Sequence, residues 1–167
     1  MRRVFLWAVL NLLLHATLLA QGTKEQIQIS VKHDNDASEV QTKSQLQKLL
    51  AQYDLSRFIF TKEIIIDRSS IPHSHPVLTL HTRYLKDDEL FLSTFVPEQI
   101  HWFLTQHQDQ TDQAVKELRT IFPKVPFGFR EGADSEDSTY LNLLVNTLEY
   151  RSLADNDSAH KLGCYGY

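Results

Sequence analysis

The longest apolar run in the chain, Val4 to Ala20, follows Met1-Arg2-Arg3 and is broken only by Asn11, His15 and Thr17. A short basic lead, about 17 apolar residues and small residues at the end make the pattern of a secretory signal peptide. Cleavage is expected between Ala20 and Thr23, so that residues 1-22 leave and 23-167 remain as a single globular domain. The alternative is an uncleaved anchor at the short end of a membrane span. Beyond it, Ile27, Ile29 and Val31 alternate with Gln28 and Ser30, which predicts a half-buried strand closed by the polar turn His33-Asp34-Asn35-Asp36. Ser38 can cap a helix to about Gln52 that turns Val40, Leu46, Leu49 and Leu50 to one face. The β-branched and aromatic runs from Arg57 to Asp67 and from Val77 to Tyr84 predict two paired strands. Their connector, Arg68 to Pro76, is too long for a tight hairpin turn and carries two prolines, so it should be a loop of the kind that often holds functional groups.

Asp87-Asp88-Glu89 places acid at a helix start, and the apolar positions Leu90, Phe91, Phe95, Ile100, Phe103 and Leu104 continue it to about Gln106. Pro97 stands in the middle. A proline there removes one backbone hydrogen bond and crowds the carbonyl of Ser93, at about 3 kcal/mol, so a kink or a restart is expected near Val96. A third helix, Thr111 to Ile121, should turn Ala114, Val115, Leu118 and Ile121 inward, and Pro123 to Gly132 should be irregular. A last helix from near Ser138 should bury Tyr140, Leu141, Leu144, Val145 and Leu148, leaving Asn142, Asn146 and Glu149 as a polar stripe. The sum is an α+β fold with a short antiparallel or mixed sheet and a C-terminal helix.

Composition narrows the function classes. With 42% hydrophobic and 23% charged residues in 167, the chain reads as one ordinary globular domain rather than a collagenous or disordered one. Its 17 basic residues fall to 15 without Arg2 and Arg3, against 21 acidic ones, a formal charge of −6 for the mature chain. Such a chain has no basic excess to neutralise phosphates, which argues against nucleic acid, and after cleavage it has nothing to hold it to a membrane. Cys164 is the only cysteine, so no internal disulfide can form, although the signal directs the chain to a secreted or periplasmic compartment. In Gly163-Cys164-Tyr165-Gly166-Tyr167 it is better read as a thiol in a frayed tail than as a nucleophile. Asn156-Asp157-Ser158 is a glycosylation sequon that matters only in a eukaryotic source. No Gly-rich phosphate loop and no Gly-x-Ser-x-Gly elbow are present.

The stretches Ser74-His75-Pro76-Val77-Leu78-Thr79-Leu80 with Arg83-Tyr84, Val96-Pro97-Glu98-Gln99-Ile100-His101-Trp102, and Glu131-Gly132-Ala133 through Tyr140-Leu141 resemble an uncharacterised family of small zincin-like proteins. The resemblance covers roughly residues 57 to 150. In an intact His-Glu-x-x-His helix, i, i+4 spacing points both histidines at one zinc, and the glutamate deprotonates the metal-bound water. Position by position, the resemblance makes Glu98 the general base and His101 the second zinc ligand, while Pro97 replaces the first and Asn142 stands where a third histidine ligand is often found. Two of three protein ligands are then missing, so the resemblance implies a zincin scaffold with a dead or rebuilt site. A rebuilt set could draw on His73, His75 and His81 beside His101, holding zinc or another transition metal; the plainer reading leaves them as loop and surface histidines, with no cofactor expected. Trp102 is more often a wall or core residue than a stacking platform.

Three functions stay open: a binding or scaffolding module without standard peptidase activity, its pocket lined by His75, Glu98, His101, Trp102, Tyr140 and Asn142 and its partner a protein or peptide; a metal-dependent hydrolase with a non-standard His/Glu set; and a structural interaction protein whose cleft has no role.

Overall fold

The computed structural model describes residues 26 to 128 and 133 to 154. The expected signal segment, the sequon, Cys164 and residues 129 to 132 of the irregular segment lie outside the described residues. Strand β1 (Gln28–Val31) leads into helix α1 (Ala37–Gln52), then strands β2 (Glu63–Ile66) and β3 (Leu78–Leu80), and helices α2 (Asp88–Gln106), α3 (Gln108–Ile121) and α4 (Glu136–Ala154). Helices beside a small sheet give the α+β class. The sheet, in order β1-β2-β3, is parallel throughout, which corrects the expected antiparallel or mixed pairing.

Geometry explains the correction. Helix α1 carries the chain back between β1 and β2, and the connector from Asp67 to Val77 does the same for β3 without a helix. Near its end the connector doubles back: His73 N donates to Thr79 O and Thr79 N to His73 O, the one isolated antiparallel bridge among the described residues. The strands are also shorter than expected. Ser56–Phe58 and Thr82–Tyr84 are single 3-10 turns, and the backbone at Phe60 and Thr61 is held by the buried Gln99 instead of by a neighbouring strand. Gln99 Oε1 accepts from both amide groups, at 2.8 Å each, and its Nε2 donates to Thr61 O.

The core lies where the sheet, α1, α2 and α4 meet. Leu46 and Leu49, Ile64 and Ile66, Leu78 and Leu80, Phe91, Phe95, Ile100 and Val145 are all buried there. Asp36, rather than Ser38, caps α1, with its side chain accepting from Ser38 N and Glu39 N. Val40 is exposed rather than inward, because the face that α1 buries runs through Glu39, Thr42, Gln45, Leu46 and Leu49. Helix α2 does not restart at Pro97; it continues through it to Gln106. The carbonyl that loses its partner belongs to the exposed Ser93, where water can take its place, so the ring is tolerated. Helices α3 and α4 begin three and two residues earlier than expected, and Ile121, at the end of α3, is 65% exposed rather than buried. No helix among the described residues is long and apolar enough to cross a membrane.

Candidate functional site

Helical spacing sets the face. Glu98, His101 and Trp102 stand at i, i+3 and i+4 on α2, while the intervening Gln99 and Ile100 are buried on the other side. Across from this face lies the loop that ends in the His73–Thr79 bridge. Trp102 fixes the two together. Its Nε1 donates to Ser74 O at 2.7 Å, and its ring stacks on the exposed His75 with centroids 4.4 Å apart and planes at 26°. His73 faces Glu98 closely enough to act on its charge, and His75 does the same to His101. His73 itself donates from Nδ1 to Ile71 O at 2.8 Å, which fixes the orientation of its ring.

Burial dominates the electrostatics. Withdrawal from water pushes the Glu98 carboxyl up to about 7, with His73 offsetting a part of that rise. The same withdrawal, followed by the neighbouring His75, holds the His101 imidazole below its ordinary range, so it is neutral at neutral pH. A carboxyl raised to about 7 beside the neutral His101 imidazole can donate or accept a proton, or pair with a cation brought by a ligand.

The other candidates stand elsewhere. His81 caps the 3-10 turn at Thr82, its Nδ1 accepting from Arg83 N at 2.7 Å, and is not joined to His101. Tyr140 is buried on α4, where its hydroxyl donates to Phe122 O and Arg119 lies 4.4 Å from its ring centre, and no hydrogen bond ties it to Glu98 or His101. Asn142 is exposed on α4, and no hydrogen bond ties it to Glu98 or His101.

A zinc ion at the motif does not fit the donors. Pro97 offers none. Among the described residues only His33, Glu39 and Asp67 bring three histidine or acidic ligand atoms within 4.8 Å of one another, so His73, His75, Glu98 and His101 do not. The triad that the fold does assemble lies at the carboxyl ends of β1 and β2, and no sequence motif pointed to it as a site. Glu39 is its buried centre: Oε2 accepts from His33 N at 2.7 Å, and Oε1 accepts from His33 Nδ1 at 2.8 Å and from Arg68 N at 3.0 Å. Arg68 Nε pairs with Asp36 Oδ2 at 2.7 Å beside it. These hydrogen bonds hold Glu39 below the usual carboxylate range despite its burial. Asp67 Oδ1 accepts from Ser69 N and Ser69 Oγ. The spacing Asp36-Ala37-Ser38-Glu39, an acid cap with glutamate three residues on, is the one sequence signal that could have marked Glu39 as bonded rather than solvated.

In comparisons with known proteins, no family model, no curated protein and no solved structure matches this chain.

Proposed function

We propose that the chain is an exported, zincin-like protein that binds a protein or peptide ligand at the face formed by α2 and the His73–His75 loop, without working as a standard zinc peptidase. Pro97 is the observation that carries this. It stands beside Glu98 on the face where zinc chemistry needs an imidazole, and no other donor of the pocket replaces it within ligand spacing. What remains is a half-buried carboxyl, two loop histidines and an indole clamped by a hydrogen bond and a ring stack, which suits recognition better than water activation.

A metal-dependent role has separate support in His33, Glu39 and Asp67, whose imidazole and carboxylate donors suit zinc or another divalent transition metal. Metal content by plasma mass spectrometry separates the two. The secreted chain from Thr23, equilibrated with zinc, iron and copper, is expected to carry no metal that His101→Ala removes and to cleave no peptide, with zinc recovered at the motif only in Pro97→His/Asn142→His. One metal per chain abolished by His101→Ala, with hydrolysis lost in Glu98→Gln, would overturn the proposal. Metal lost only in His33→Ala would assign it to the strand-end triad and leave the binding face metal-free.

A further inference from the structure

Glu98, like Glu149 on α4, is raised by burial, and it differs from the four carboxyls held low around the sheet. Asp36 has Arg68 and the Ser38 hydroxyl, Glu39 has three N–H donors, Asp67 has Ser69, and Asp88 has Gln45 and Lys48. No hydrogen bond or ion pair from the described residues reaches Glu98; its one electrostatic neighbour is His73. Its oxygens still touch solvent, because the only fully buried side-chain polar atom without a partner among the described residues is Gln45 Oε1. A carboxyl partly withdrawn from water, reachable from outside and given no hydrogen-bond donor by the described residues is costly to keep. One turn along α2 stands Trp102, pinned to Ser74 O and stacked on His75, so an aromatic wall lies beside the carboxyl. His101, between them on the same face, is neutral and supplies no counter-charge.

A desolvated carboxylate next to electron-rich rings is the recognition chemistry of organic cations. We infer that this face takes a lysine or arginine side chain of a peptide or protein partner, with Glu98 as the counter-ion and the His75–Trp102 pair as the wall along which the aliphatic stem lies. The acidic balance of the chain, −4 over its full length, favours the approach of such a basic segment. The inference rests on the proposed use of this face as a metal-free binding pocket.

Trp102 reports on it directly, because the second tryptophan, Trp7, lies in the signal segment and is absent from the chain beginning at Thr23. The probes are the Nα-acetyl methylamides of lysine, arginine and norleucine, titrated against that chain with Trp102 fluorescence as the readout. Saturable binding is expected for lysine, arginine or both, with norleucine weaker by about tenfold or more, and the stronger of the two cations identifies the partner's residue. Glu98→Gln should bring the cations down to the norleucine level while the variant stays folded by circular dichroism. Norleucine binding as well as the cations, cation affinity unchanged in Glu98→Gln, or no saturation by any probe would overturn the inference. The metal measurement on the same chain is independent. A metal-free pocket that ignores the cations fails only this inference, whereas a metal removed by His101→Ala fails the reading beneath it.

Discussion

Glu39 and Glu98 show how little the identity of a residue says about its work. Both are glutamates on helices with a histidine at hand. Glu39 is enclosed by three N–H donors from the exits of two strands and ties β1 to β2 through His33 and Arg68. Glu98 is given none by the described residues. Replacing Glu39 by Gln puts an NH2 group against at least one of those N–H donors in a fully buried position, and a buried donor without an acceptor costs about 1 to 3 kcal/mol. Glu39→Gln should therefore lower the unfolding free energy in urea by about 1 to 3 kcal/mol. A loss below about 0.5 kcal/mol would mean that the tie does not bear on stability. Gln99 belongs to the same class of hidden residue. A polar side chain in a helix is read from sequence as solvated, yet this one replaces a strand partner for Phe60 and Thr61 with three hydrogen bonds.

At the scale of elements, the helices were largely legible and the sheet was not. Leu46, Leu49, Phe91, Phe95 and Ile100 fall on helical spacing and are buried, because a helix shows its buried face in the order of its own residues. Pairing direction is different, since it depends on the path of the connector. Arg68 to Pro76 has the composition of an ordinary loop between paired strands, and only the parallel register of Ile64, Ile65 and Ile66 on Leu78, Thr79 and Leu80 shows that it crosses over. Val40 and Ile121 were misread where an apolar residue sits beside the buried stripe or at the last turn, positions that periodicity alone does not exclude from the core. Pro97 marks the case in which a strong local rule yielded to the rest of the helix. Phe95, Val96, Ile100 and Leu104 bury the turns on both sides of it, and the unpaired carbonyl at Ser93 faces outward. Because α2 is continuous, Pro97→His restores an N–H to that carbonyl and removes the ring's crowding, so it should stabilise the domain by about 1 kcal/mol, less than the full proline penalty because Ser93 is exposed and its carbonyl is open to solvent hydrogen bonding. Thermal and urea unfolding of the variant check this, and an unchanged or lower stability would mean that the backbone at 97 has settled around the ring.

Across the whole molecule, two groups of carboxyls pull the pH dependence of stability in opposite directions. Asp36, Glu39, Asp67 and Asp88 are held low by hydrogen bonds and neighbouring cations, so their contribution is present above the ordinary carboxylate range and is lost as pH falls through their folded values. Glu98 is pushed by burial from 4.5 to about 7, and Glu149 is raised by burial as well. For a raised carboxyl the folded state holds a proton that the unfolded state has released. Stability from Glu98 is therefore lost as pH rises from 4.5 to about 7. His101, kept neutral by burial, acts the other way, because the unfolded chain binds a proton near 6.5 that the folded chain refuses. Comparing the parent with Glu98→Gln cancels every group but one. The variant keeps the volume and loses the ionisation, so the two melting temperatures should lie closest near pH 4.5, and the variant should gain on the parent until the gap levels off above about pH 7. A gap that stays constant across this window would show that Glu98 titrates like a solvated carboxyl. The pocket would then lack the desolvation that gives a bound cation its hold, and the lysine and arginine probes should fail in the same protein.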